Sequence, residues 1–271
     1  MLIRRVSREG PVYYVSPLLE QVGVPHAFST RVGGLSPAPF DSLNLGNPSG
    51  CDVQDDYDRI YENYKRLQSA IGCGDTRRLW VHQVHGAVVA SAMRVEGFES
   101  GVKADAIVSD DPERLLAVRV ADCVPVLLAS ADGALVAAIH AGWRGVIARV
   151  VPSAVVRMNH ANCVSDAIIA AIGPCIGFES FEVGPEVVEA FERVFGADAP
   201  ARRTPDGKGR VDLRRAIEIQ LLSCGIRPER IDQTDRCTFR DREEFFSHRR
   251  DKGVTGRMAA LIRPKPLFRK L

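Results

Sequence analysis

No stretch of this chain approaches the roughly 20 consecutive apolar residues that span a bilayer, and Met1-Leu2-Ile3-Arg4-Arg5 lacks the apolar core of a secretory signal. These two absences set the expectation of a soluble, cytoplasmic chain with no membrane partner. Charge of one sign is also missing: 36 basic residues against 34 acidic ones leave a formal charge of +2, too little to argue for nucleic acid as a partner. Cysteine offers no scaffold. The seven cysteines (51, 73, 123, 163, 175, 224 and 237) are odd in number and scattered, with no CxxC pair, which fits reduced thiols rather than a disulfide framework. Internal repeats, low-complexity tracts and Pro/Ser linkers are absent too, so residues 1–271 are expected to form one domain. Histidine is scarce, six in all, which makes the position of each one informative.

What is present suffices for a core: 45% of residues are apolar and 26% charged. One local bias stands out, eleven Lys/Arg against five Asp/Glu over residues 235–271, which reads as a solvated face or a surface for an anionic substrate. Ile60, Tyr64, Leu67 and Ile71 recur at spacings of four, three and four, predicting a helix over 55–71 that Gly72 and Gly74 stop. Short apolar or β-branched runs at 79–84, 87–92, 104–108, 115–120, 124–128 and 134–139 read as strands. Several are apolar on both faces, as in a sheet covered on both sides. Residues 146–158 read as helical, but Pro152 requires either a kink or a helix that starts near it. A buried strand at 167–172 and helices at 185–194 and 213–224 complete a mixed pattern without regular βαβ alternation.

Reactive side chains fall beside glycine or proline at expected strand ends in three segments: His82-Gln83-Val84-His85-Gly86, Ala121-Asp122-Cys123-Val124-Pro125 and His140-Ala141-Gly142-Trp143-Arg144-Gly145. Two imidazoles and a thiolate make a three-ligand zinc site whose fourth position stays open, the catalytic arrangement. The ligands lie 38 and 17 residues apart, so no local spacing rule supports the metal. The same atoms also read as satisfied core histidines with a buried thiol, or as a Cys123–His140 nucleophile dyad. If the first segment is a strand, His82 and His85 face opposite ways and only one can serve the site. The glycine turn after His140, with Arg144, suits a phosphate or carboxylate. Ser29-Thr30-Arg31-Val32-Gly33-Gly34 and Ser42-Leu43-Asn44-Leu45-Gly46 are loops of similar character. Asp235-Arg236-Cys237 and the stretch from Phe245 to Asp251 combine aromatics with arginines, suited to purine stacking or anion binding, and equally to packing and surface ion pairs.

These motifs, taken in order with Phe181-Glu182-Val183-Gly184 and Thr255-Gly256-Arg257-Met258, resemble the bacterial YfiH family, also called the multicopper polyphenol oxidase or laccase-domain family. The resemblance implies an α+β fold, a layered α/β/β/α sandwich like the catalytic domain of cytotoxic necrotizing factor. It implies a zinc or copper site on His85, Cys123 and His140, the family motif Gln-Val-His-Gly selecting His85 over His82. It further implies purine nucleoside phosphorylase activity on adenosine, inosine and methylthioadenosine, adenosine deaminase activity, and a second role in peptidoglycan editing on a muramyl precursor.

The laccase label fails on a count, because six histidines with no His-x-His pair cannot furnish a blue-copper site plus a three-copper cluster. A single-copper polyphenol oxidase remains open. For deamination, a metal in this site would lower the pKa of its water towards ~7, with Asp122 and Glu182 as candidate acids; the usual zinc deaminase signature is absent. For phosphorolysis, Arg31 and Arg144 are the expected phosphate contacts and Asn44 a sugar or base contact. The competing enzyme reading makes Cys123 a nucleophile and His140 its base in an amidase, and a non-enzymatic binding module is the bland alternative.

Overall fold

The computed structural model describes residues 1–265 apart from Glu96 and Asn162; the last six residues of the basic C-terminal run lie outside the described residues. Among these, fifteen strands occur: β1 (Ile3–Val6), β2 (Val12–Val15), β3 (His26–Ser29), β4 (Arg77–Trp80), β5 (Val89–Ser91), β6 (Ala106–Ser109), β7 (Arg114–Val120), β8 (Val124–Ala129), β9 (Val136–Ala141), β10 (Ile169–Ile172), β11 (Glu182–Val183), β12 (Ala201–Arg203), β13 (Gly209–Val211), β14 (Ile231–Asp232) and β15 (Met258–Ile262). The helices are α1 (Pro17–Gln21), α2 (Tyr57–Ala70), α3 (Trp143–Ile147), α4 (Val150–His160), α5 (Pro185–Phe195) and α6 (Leu213–Ser223).

One six-stranded sheet runs β1-β2-β3-β15-β7-β4, a second runs β14-β10-β8-β9-β6-β5, and a small sheet is formed by β11-β13-β12. The period-two alternation of strand side chains divides the core into layers. In β7, Leu116, Val118 and Val120 face the second sheet, where they meet Leu127 and Ala129 of β8 and Val136 and Ala138 of β9. Leu115 and Ala117 of β7 face the other way, against Ile60, Tyr64 and Leu67 of α2. On the far side of the second sheet, Val124, Val126 and Leu128 of β8 pack under α3, α4, α5 and α6. The architecture is therefore α+β, with two stacked sheets flanked by helices. Each fully buried Leu, Val or Phe side chain in these layers contributes on the order of 1.5–3 kcal/mol.

The expected α2 begins two residues later than the spacing suggests, because Asp56 caps it by accepting from the Asp58 N–H at 2.8 Å. The difficulty at Pro152 resolves as two helices. Arg149 takes a left-handed conformation (φ 64°) between α3 and α4, and Pro152 falls in the first turn of α4, where no intrahelical N–H is required. No helix among the described residues is long and apolar enough to cross a membrane.

Strand 79–84 does not form as expected: β4 stops at Trp80. The chain then leaves the first sheet and crosses to β5 in the second. The β7–β8 link makes the same crossing at the same end, since β4 and β7 pair in parallel. Both crossings carry candidate site residues.

Candidate metal centre and its two hollows

His85 rides on the first crossing, Cys123 on the second, and His140 stands near the end of β9 on the face between the sheets. Their ligand atoms all lie within 4.8 Å of one another. The rings of His85 and His140 meet edge to face at 4.8 Å between centroids. Tetrahedral bonds of about 2.0–2.3 Å set ligand atoms roughly 3.5 Å apart, so modest side-chain closure lets this trio hold one ion. Two imidazoles and a thiol are also a donor set that suits zinc or copper. The three converge although the chain separates them, because two sheet-to-sheet crossings and one strand end share a single rim of the sandwich.

Asp105, just before β6, organises the rim. Its Oδ1 lies 2.9 Å from His140 Nδ1 and accepts the His85 N–H at 2.9 Å, while Oδ2 accepts the N–H groups of Val84 at 3.2 Å and Gly86 at 2.6 Å. Four donors on one fully buried carboxylate hold the 84–86 segment in place, including His85 at a positive φ of 60°. An ionised carboxylate only accepts, so Nδ1 of His140 carries the proton and Nε2 faces the other two ligands. Burial pushes the Asp105 carboxyl up, but His140 and the Gly86 and Val84 N–H groups outweigh it and leave the pKa below its ordinary value.

The Cys123 thiol shows the same contest. Burial raises its pKa, yet the charge and hydrogen bonds of His140, with those of His85, bring it down to about 6. Burial lowers His140, while the Cys123 sulfur and Asp105 raise it to about 9. Both shifts run in the direction that favours a thiolate beside an imidazolium. Gly142, between β9 and α3, is required by close approach: a Cβ there would lie 2.6 Å from His85 Nδ1 and 3.0 Å from Cys123 Sγ.

Two hollows meet at His85 and Cys123. One, of about 270 Å³, is lined by Asn47, Ser49, His82, Gln83, His85, Arg119, Val120, Ala121, Cys123, His140, His248 and Arg257, without a carboxylate. The other, of about 130 Å³, adds Trp143, Ile176, Phe181 and Leu213, with Asp122, Arg144 and Arg249 among its polar groups. His82 and His85 thus line one cavity together, because the segment is a crossing loop rather than a strand; only His85 joins the ligand cluster.

The expected substrate contacts distribute differently. Arg144 lines the smaller hollow, its guanidinium 4.3 Å from the Trp143 ring centre. Arg31 lies elsewhere, in a surface depression with Asp41, Arg242 and Glu243, paired to Asp41 at 3.0 Å and stacked on Phe246. Asn44 is fully buried, with Nδ2 donating to Asp55 and Oδ1 accepting from the N–H groups of Gly46 and Arg257. Neither candidate acid offers a spare carboxyl to the ligand cluster. Asp122 accepts from the Thr238 hydroxyl at 2.6 Å and the Arg249 N–H at 2.7 Å, and Glu182 pairs with exposed Lys208 at 2.6 Å.

Sequence reasoning passed over Asp105 and Arg119, although each is the sole charge within an expected apolar strand, 104–108 and 115–120, and that is the signal that marks them. His248 and Arg257 fall in stretches marked above, Phe245 to Asp251 and Thr255-Gly256-Arg257-Met258, but no local pattern singles out either side chain; the long return of the chain to β15 brings both to the site.

The model of the family described as multi-copper polyphenol oxidoreductase laccase matches residues 25–265. The chain is 42% identical over 243 residues to the purine nucleoside phosphorylase YfiH of Escherichia coli K12, covering 89% of this chain and 93% of that protein. It is 37% identical over 248 residues to a purine nucleoside phosphorylase of Deinococcus radiodurans, covering 91% and 92%. The crystal structure of YlmD from Geobacillus stearothermophilus superposes with a TM-score of 0.86 at 32% identity, over 98% of this chain and 100% of that one. By sequence and by fold, the chain belongs to the YfiH family, whose family model carries the laccase description.

Proposed function

We propose that this chain, acting as one catalytic unit over residues 1–271, is a metal-dependent purine nucleoside phosphorylase. It converts adenosine, inosine or methylthioadenosine to the free base and the corresponding pentose 1-phosphate. The observation that carries the reading is the convergence of His85, Cys123 and His140 within 4.8 Å on the wall of a carboxylate-free cavity. The relatives named purine nucleoside phosphorylase support it. In the reaction a phosphate oxygen bonds to C1′ of the sugar as the C1′–N9 bond breaks, and the electron pair and a proton go to the departing purine. Zinc is the proposed ion and copper the alternative; held by His85, Cys123 and His140, either would supply Lewis acidity to a substrate oxygen. This chain's own work is to hold a cation with the two imidazoles and the sulfur, to bind an anion beside it, and to present an apolar wall to the base. A side activity of adenosine deamination draws on the same centre. The seven free thiols and the nucleoside substrates suit a cytoplasmic location.

A second reading rests on Cys123, His140 and Asp105 forming a nucleophile, a base and an orienting carboxylate in sequence. That set would cleave an amide, as in the necrotizing-factor likeness, on a muramyl precursor. Incubation with adenosine, with and without phosphate, separates these. Adenine and pentose 1-phosphate formed only with phosphate support the phosphorylase, and inosine supports deamination. If neither appears, while a serine-containing muramyl precursor is cleaved by metal-stripped protein, the phosphorylase reading is lost. Oxygen uptake with a phenol would instead indicate the single-copper oxidase.

A further inference from the structure

Arg119 and Arg257 both line the larger cavity, and among the described residues neither guanidinium has a carboxylate partner. Arg119 lies 5.7 Å from the Trp80 ring centre, and Arg257 donates to the carbonyls of Thr255 and Gly256 at 2.9 and 3.1 Å, contacts that orient both guanidiniums without neutralising either. Two like charges sharing a cavity that also holds four histidines and no carboxylate repel one another, and an anion seated between them relieves that repulsion. Burial, and after it the charge of Arg119, push Arg257 down from its ordinary value, against the opposing pull of Cys123 and Asp122.

The fold is built to keep them there. Arg119 is gripped at its backbone by the Gln83 carboxamide, which donates to its carbonyl at 2.7 Å and accepts its N–H at 2.8 Å. Its side chain passes over Gly46, where a Cβ would lie 2.7 Å from Arg119 Cδ. Buried Asn44 ties both supports together, its Oδ1 accepting from Gly46 at 3.2 Å and from Arg257 at 2.9 Å. One carboxamide thus braces the floor under Arg119 and the backbone of Arg257.

We infer that Arg119 and Arg257 form the anion subsite of this centre, taking the inorganic phosphate co-substrate in the larger cavity, while the nucleoside base lies across the sulfur in the hollow of Trp143 and Phe181. The assignment of that anion as a co-substrate rests on the phosphorylase reading; the anion site itself does not. Planar guanidiniums suit phosphate oxygens through paired, charge-assisted hydrogen bonds. The two hollows share His85, Ala121, Cys123 and His248, so a nucleoside whose base sits in the smaller one brings its sugar carbon towards a phosphate in the larger. Arg31 and Arg144 then have no part in holding the phosphate.

The test is calorimetric titration of the metal-loaded protein with inorganic phosphate and, separately, with adenosine 5′-monophosphate, beside steady-state phosphorolysis of adenosine. Wild type is expected to bind inorganic phosphate. Arg119→Gln and Arg257→Gln should each raise the phosphate Kd and KM about tenfold or more, with the adenosine KM within about twofold. Arg119→Lys and Arg257→Lys keep the charge, guard against a folding artefact, and should recover part of the loss. Phosphate binding unchanged in both Gln variants overturns the site. Binding of the monophosphate alone overturns the co-substrate assignment in favour of a phosphate ester. Phosphate binding that needs both arginines in a protein that leaves adenosine intact would sink the phosphorylase reading and uphold the subsite. Phosphorolysis with an unaltered phosphate KM would do the reverse.

Discussion

Asp105 grips His140 at two points: Oδ1 stands 2.9 Å from Nδ1 of the imidazole, and the Asp105 carbonyl accepts the His140 N–H at 2.7 Å. The same carboxylate collects the N–H groups on which His85 is hung. A single buried acid therefore fixes two ligands that approach from different sheets.

Removing it should separate stability from ligation. Asp105→Ala leaves three N–H groups and an imidazole without their acceptor, and should cost about 3 kcal/mol or more of folding stability. Metal affinity should fall by roughly 10–100-fold. Denaturant unfolding and a competitive metal titration measure the two; a stability loss with unaltered affinity would reject the positioning role.

In metal-free protein, Cys123 should react as a thiolate at neutral pH. Burial raises its pKa, but the two histidines outweigh it and bring it down to about 6, against about 8.5 for a free thiol. The depressed value means the anion persists above that pH and is lost as pH falls through it. Alkylation of this site by iodoacetamide should therefore level off by neutral pH and slow below about 6. A midpoint near 8 would contradict the thiolate–imidazolium pair.

Gly142→Ala places a methyl 2.6 Å from His85 Nδ1 and 3.0 Å from Cys123 Sγ. Activity should drop about 10²-fold, the scale of a 1 Å misplacement at a reacting centre. The helix start itself should lose no more than about 1 kcal/mol. Metal content by elemental analysis and a melting curve distinguish displaced ligands from general unfolding.

Asn44→Ala should behave as a structural lesion. Its carboxamide serves Asp55, Gly46 and Arg257 in a fully buried position, and leaving such groups unmatched costs about 1–3 kcal/mol each. Unfolding midpoints should fall clearly. A stable variant with only the nucleoside KM raised would restore Asn44 as a direct sugar contact.

Local pattern carried much of the architecture. The stripe of Ile60, Tyr64 and Leu67 marks α2 because helix periodicity and burial coincide there. The apolar runs of β7, β8 and β9 mark strands covered on both faces. The 79–84 segment misled, because its alternation mimics a strand while its N–H groups 84–86 are claimed by a carboxylate twenty residues away instead of a neighbouring strand.

For the site, chemical identity was legible and position was not. Two imidazoles and a thiol announce a candidate metal set wherever they stand, since ligand softness belongs to the side chain. Which residues face the cavity depends on two sheet crossings that share one rim, and on a carboxamide and a glycine that steer Arg119 and Arg257 inward. Those are non-local contacts between segments far apart in the chain, and no spacing rule encodes them. Arg31 and Asn44 looked like ligand contacts by motif. Tertiary packing turned one towards Asp41 and Phe246 and buried the other, because a hydrogen-bonding group is spent on whichever partner the fold brings within reach.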